Sequence, residues 1–159
     1  MFVIYYMDSF CKNKFRKLKK DDYKDFYFLI NQLRHSNLSK EKFEETLMTI
    51  EATKIMEVWV VEKYDTSNST SSVIGTGTII YEPKFIRSCG KVAHIEDVVI
   101  SASHRCSGLG KEFIQFLINN AHENYCYKVI LNCDKNISEF YKKCGFTEKN
   151  IQMAKYFNE

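Results

Sequence analysis

The chain has 159 residues, a formal net charge of +3 and 45% hydrophobic residues. That length suits one domain, residues 1–159, around one core, and the mild charge excludes a protein built chiefly to coat nucleic acid. Six cysteines without a CxxC pair read as reduced thiols in a cytoplasmic protein, and neither a disulfide framework nor a zinc site is expected.

Residues 1–7 are apolar but too few for a signal peptide or a membrane span; a short extra strand is expected there. The basic run from Lys12 to Lys20 carries Phe15 and Leu18 and reads as a half-buried strand over residues 14–19 with a solvated basic face. Asp21 and Asp22 can cap a helix in which Phe26, Ile30 and Leu33 recur at helical spacing. Ser39 can cap a second helix buried through Phe43, Leu47 and Ile50. Residues 55–64 alternate and favour a strand. The polar tract DTSNSTSS at 65–72 is a hairpin tip, and residues 73–81 are the returning strand. A strand over 93–100, a helix over 108–123 buried through Phe113, Phe116, Leu117 and Ala121, and a strand over 127–133 follow. A short helix over 138–144 ends at Gly145, and residues 151–157 read as a last strand. Hairpins followed by a strand–helix–strand crossover make a mixed α/β sheet with helices on its faces.

The chemistry concentrates in HIEDVVISASHRCSGLGK, residues 94–111. A β-branched strand breaks into a turn, Arg105-x-x-Gly108-x-Gly110, and a helix begins at once. Such a loop presents unpaired N–H groups and the positive end of a helix dipole, which suits phosphate oxygens. The spacing is neither that of a Walker loop nor that of a dinucleotide fingerprint. Taken alone, two glycines near a helix start are also ordinary turn chemistry.

The loop does not stand alone. HIEDVVI precedes it, YKVILNCD follows its helix, and EFYKKCGF comes after. Together these segments resemble the GNAT superfamily of acyl-CoA N-acyltransferases. Within it the resemblance is to the branch that acetylates amino-sugar phosphates, carried by Lys84-Phe85-Ile86, Glu96-Asp97-Val98-Val99-Ile100, Cys126-Tyr127-Lys128 and Phe140-Tyr141-Lys142-Lys143-Cys144-Gly145-Phe146. It covers nearly all of the chain from about Lys14.

The resemblance implies the GNAT fold, with central parallel strands that splay apart. It implies transfer of acetyl from acetyl-CoA to the amine of D-glucosamine 6-phosphate by direct attack in a ternary complex, feeding UDP-N-acetylglucosamine synthesis, in a homodimer and without a metal. The pantetheine arm would pair with the backbone of Val98, Val99 and Ile100, with an N–H near Val99 polarising the thioester carbonyl. The pyrophosphate would lie on the amides of Cys106, Ser107, Gly108, Leu109, Gly110 and Lys111, with Arg105 nearby and Lys143 a further coenzyme contact. Tyr141 would act as general acid toward the departing thiolate and touch the coenzyme; its other reading is a core aromatic. Glu96 and Asp97, on opposite sides of a strand, would contact the amino sugar. Glu96 or the Asp134 carbonyl would accept the ammonium proton. Lys84, Phe85, Ile86, Arg87, Tyr127 and Lys128 would meet the sugar and its phosphate, although the three cations read equally as surface charges. Cys133 and Cys144 read as small core residues.

The chain departs from the family pattern in places. Cys106 stands where glycine is typical, so either an ordinary φ or a slight tilt of the loop is expected there. Ile137 replaces a usual asparagine, with Asn136 one residue earlier. Arg34 and Tyr156 occupy positions usually associated with phosphate recognition. Two other readings stay open: acetylation of a different amine, such as a protein N-terminus, a lysine or a polyamine, and a non-catalytic acyl-CoA-binding module.

Overall fold

The computed structural model describes residues 11–157; the strand expected over residues 1–7 lies outside them. Five strands form one sheet in the order β1-β2-β3-β4-β5: β1 Cys11–Lys17, β2 Met56–Asp65, β3 Thr70–Pro83, β4 Lys91–Ile100 and β5 Cys126–Leu131. The first four pair antiparallel and β4 pairs β5 parallel. The helices are α1 Tyr23–Leu33, α2 Lys40–Thr53, the single turn α3 Ile86–Cys89, α4 Leu109–Glu123 and α5 Ser138–Lys143.

Strand alternation sends neighbouring residues into different cores. Val61, Ile74 and Ile95 pack with Phe113, Ile114 and Leu117 of α4 on one face. Val58, Val60 and Val73 pack with Leu29 of α1 and with Phe43 and Leu47 of α2 on the other. Helix α4 is the crossover that makes β5 parallel to β4. Ser39 caps α2 as expected, its hydroxyl accepting from the Lys42 amide at 3.2 Å. At the opposite end of α5, Gly145 takes φ +93, the left-handed stop the sequence anticipates.

The first strand lies three residues earlier than the expected start and stops at Lys17. The last expected strand does not form: residues 151–157 carry no regular structure, and Ile151, Met153, Tyr156 and Phe157 are exposed. A strand needs a neighbour to satisfy its backbone, and within the described residues β5 pairs only with β4. The alternating apolar pattern of 151–157 is not matched by a paired neighbour, and no strand forms there.

Candidate functional site

The parallel pairing of β4 with β5 runs from Lys91↔Cys126 only as far as Ile95↔Leu131. Strand β4 continues to Ile100, so its last five residues, Glu96 to Ile100, have no neighbour on that side among the described residues. An edge of unpaired peptide groups opens inside the sheet, of the kind that accepts an extended ligand as an added strand.

Which amides face the opening follows from the other ladder. The Ser101 amide donates to the Ile74 carbonyl at 2.8 Å, and Val99 pairs with Thr76. Narrow and wide pairs alternate in an antiparallel ladder, so the backbone of Val99 turns toward β3, and that of Val98 and Ile100 turns into the opening. The cleft-side amides near Val99 are therefore those of its two neighbours.

The register of β3 against β4 shifts between Thr76 and Thr78. Asp97 takes φ +51 at that point. This bulge breaks the simple alternation expected for the carboxylate pair. Glu96 keeps the face opposite Ile95, half-buried, while Asp97 is thrust into solvent. Gly77 sits across from the bulge, where a Cβ would lie 3.0 Å from the Phe113 ring and 3.3 Å from Val98 Cγ2.

Beyond Ile100 the loop is built as a row of free donors. The amides of residues 106–111 donate to no other described group, and the first amide of this stretch to re-enter the backbone network is Glu112, to Gly108 at 3.1 Å. Arg105 turns back, its Nε donating to the Ile100 carbonyl at 2.9 Å. The Gln32 side chain, from the end of α1, accepts from the Ala102 amide at 2.9 Å. Both contacts fix the loop to the end of β4. Gly108 takes φ +87, and Cys106, rather than an ordinary φ, takes φ +61. A left-handed residue inside an N–H row gathers successive amides around one concavity, an anion nest at the head of a helix. Orphaned, solvent-facing amides of this kind fit a diphosphate. Lys111 and Lys143 are exposed, as cations for a bound anion must be.

Tyr141 of α5 packs against the α4-side core beside Phe140 and Phe146. Burial pushes its phenol up to about 12, with Cys133, Cys144 and Glu96 adding to the shift. It is thus a proton donor held in its protonated form, and a partly buried one. Burial also raises the Glu96 carboxyl above the usual carboxylate range; Asp97 adds to this and His94 opposes it. Asp134 lies in the loop after β5, its carbonyl already accepting from the Ile137 amide at 3.1 Å.

The cations and aromatics expected at the acceptor end gather around the β3–β4 turn and β5. Lys84 pairs with Glu82. Phe85 and Ile86 are exposed. Arg87 lies over the Tyr127 ring with 5.8 Å to its centroid, and Lys128 approaches the same ring at 5.8 Å. Arg87, Ser88 and Cys89 all take positive φ, so the turn α3 is a strained, left-handed corner that presents its side chains outward. The sequence reading missed His94, whose Nε2 donates to Glu82 at 2.8 Å. The available signal was its place two residues before Glu96 on one strand. Cys144 is buried as expected, but Cys133 is exposed, because β5 ends at Leu131 and leaves it in the following loop.

A mixed sheet split between its parallel strands, with a donor-lined loop at the head of the crossover helix and a protonated tyrosine behind it, defines an acyl-CoA-dependent acyltransferase site. Residues 17–146 match the Acetyltransferase (GNAT) family, and the chain belongs to it. It is similar to Glucosamine 6-phosphate N-acetyltransferase of Arabidopsis thaliana, 39% identical over 147 residues that cover 91% of this chain and 97% of the relative. It is 40% identical over 133 residues to Glucosamine 6-phosphate N-acetyltransferase 1 of Oryza sativa subsp. japonica, covering 83% of this chain and 79% of that one. The crystal structure of glucosamine-6-phosphate N-acetyltransferase from Arabidopsis thaliana matches with a TM-score of 0.82 at 36% identity, over 92% of this chain and 99% of the other.

Proposed function

We propose that this protein transfers the acetyl group of acetyl-CoA to the amine of D-glucosamine 6-phosphate, giving N-acetyl-D-glucosamine 6-phosphate and CoA. The observation that carries the reaction type is the opening beside residues 96–100, bordered by free amides at 106–111 and by Tyr141. The choice of acceptor rests on the relatives just described, which match over nearly their full length.

Acetyl-CoA supplies the activated thioester, and the chain's own groups do the rest. The amides of Cys106, Ser107, Gly108, Leu109, Gly110 and Lys111 hold the diphosphate, with Lys111 and Lys143 adding charge. The cleft-side backbone of Val98 and Ile100 orients the pantetheine arm, and the Val98 amide at the bulge polarises the reacting carbonyl. Glu96, of raised basicity and half-buried, takes the ammonium proton, directly or through water, with the Asp134 carbonyl as a second acceptor. The exposed Asp97 orients the sugar. Tyr141 gives its proton to the departing sulfur. Lys84, Arg87 and Lys128, with Phe85, Ile86 and Tyr127, form the rim for the sugar phosphate.

The protein acts as a homodimer in this proposal. Support comes from the outer edge of β5, unpaired among the described residues, and from the exposed apolar side chains Tyr125, Tyr127, Ile130, Met153 and Phe157, part of which a second copy would cover. Its product feeds UDP-N-acetylglucosamine synthesis in the cytoplasm. No described helix is long and apolar enough to cross a membrane, and among the described residues no cluster of side chains suits a metal.

The test is CoA release from acetyl-CoA with glucosamine 6-phosphate, glucosamine, lysine, an N-terminal peptide and spermidine. Turnover led by glucosamine 6-phosphate supports the proposal. Preference for any other amine, or CoA binding without turnover, contradicts it.

A further inference from the structure

The contact between Lys63 and His104 has no part in the chemistry just proposed, yet it ends on the coenzyme loop. Lys63 of β2 places Nζ 3.2 Å from Nε2 of His104, in the short turn 102–104 that follows β4. Both side chains are half-buried. A lysine ammonium only donates, so the Nε2 that faces it carries a lone pair and no proton. The ring proton then sits on Nδ1, which donates to Ser103 Oγ at 2.9 Å, and Ser103 in turn meets Ser101 Oγ at 3.2 Å. The backbone of the same histidine supports the nest: its carbonyl accepts from the Ser107 hydroxyl at 2.8 Å, within the row of free amides at 106–111. His104 is thus fastened to β2 through its ring and to the anion nest through its carbonyl.

We infer that Lys63 and His104 are a positioning pair for the coenzyme loop: Lys63 holds the bare Nε2 of a neutral imidazole, and the fastening is released when that nitrogen takes a proton. The inference rests on the proposed use of acetyl-CoA and concerns the loop of that same site. A ring protonated on both nitrogens meets Lys63 donor to donor and charge to charge. Burial, and then the Lys63 charge, hold this imidazole below the ordinary histidine range. The other elements around the pair bring no charge into hydrogen-bond contact with the ring among the described residues. Strands β1 and β3 set the uncharged Asn13 and Ser72 beside Lys63. Asp65, two residues along β2, is engaged by the Ser67 amide and hydroxyl at 2.8 and 2.6 Å. Arg105 is turned to the Ile100 carbonyl, and α1 reaches the segment through the uncharged Gln32. Lys111 and Glu112, in the first turn of α4, are exposed. A coenzyme that needs the fastened loop binds best with His104 neutral. Its affinity is full above the imidazole midpoint and falls as pH drops through it.

The experiment is long-range proton–nitrogen NMR of the whole protein, with His104 assigned from His104→Gln. Above the midpoint, Nε2 should resonate as a bare nitrogen and Nδ1 as an N–H. Saturating CoA should lower the His104 midpoint by about 0.7 pH unit, the equivalent of an about fivefold weaker hold on CoA when the ring is charged. Calorimetry with CoA reads the same coupling. Between about pH 7 and pH 5, the range in which a histidine titrates, the wild type should lose about fivefold more affinity than His104→Gln, whose side-chain oxygen accepts from Lys63 throughout. The ratio cancels the titration of the terminal phosphate of CoA, near about pH 6. Lys63→Met should raise the His104 midpoint and the KM for acetyl-CoA while kcat stays in place. A folded wild type with its neutral-ring proton on Nε2, or a midpoint that bound CoA raises or leaves unmoved, overturns the inference. An absence of CoA binding at every pH overturns the acyl-CoA reading instead, and the tautomer still decides whether Lys63 fixes the ring.

Discussion

Cys106 gives the sharpest test of how the coenzyme loop is built. Its φ of +61 places a side chain with a Cβ in the left-handed region, at a cost of about 1–2 kcal/mol relative to glycine. Glycine returns about 0.5–1 kcal/mol of that by loosening the unfolded chain. Cys106→Gly should therefore stabilise the protein by about 0.5–1 kcal/mol, raising the Tm by about 1–4 °C for a domain of this size. Asparagine, which tolerates the left-handed region, should fall between glycine and cysteine, and β-branched valine should lower the Tm. Thermal melts of the four proteins give the order directly. Valine should also weaken acetyl-CoA binding, because relaxing φ at 106 re-aims the amides that follow it. A valine variant as stable as the glycine variant would show that residue 106 is not held left-handed, and the nest argument would fail with it.

Tyr141→Phe should lower kcat by about 100-fold or more with little change in the KM for acetyl-CoA; an unchanged kcat removes Tyr141 from the acid role. Because burial raises the Tyr141 phenol to about 12 from 10, the folded state holds this proton more tightly than the unfolded chain. Its stabilising contribution is complete below about pH 10 and is lost as pH rises from there toward 12, so the high-pH arm of a stability curve should flatten in Tyr141→Phe. Gly75→Ala should destabilise by about 1–3 kcal/mol, since the new methyl would lie 2.6 Å from Ile100 Cδ1 and 3.0 Å from Val61 Cγ2; denaturant melts measure it. Ser39→Ala should cost about 1 kcal/mol through the lost cap of α2.

Much of this was legible in the sequence because local rules governed it. Helix α4 declared itself by a stripe through Phe113, Leu117 and Ala121, α2 by Ser39, and the loop by Gly108 and Gly110. The parallel step from β4 to β5 followed from the helix between them. What stayed hidden depended on backbone geometry that no residue type announces. The bulge at Asp97 gives no signal in EDVVI, yet it decides that Glu96 keeps its face and that Val98 rather than Val99 turns its amide to the opening. The left-handed Cys106 hid behind a side chain that ordinarily avoids such angles. The run 151–157 has a strand's pattern, but a pattern specifies only which face is apolar and does not by itself supply the pairing that makes a strand.

The central claim is that the amides facing the opening and those heading α4 are the ones that hold CoA. Amide-resolved hydrogen exchange with and without CoA tests it most directly. Residues 106–111, together with Val98 and Ile100, should gain protection on adding CoA, while Val99, already turned to β3, should change little. Unchanged exchange at residues 98, 100 and 106–111 in the presence of saturating CoA would contradict the account.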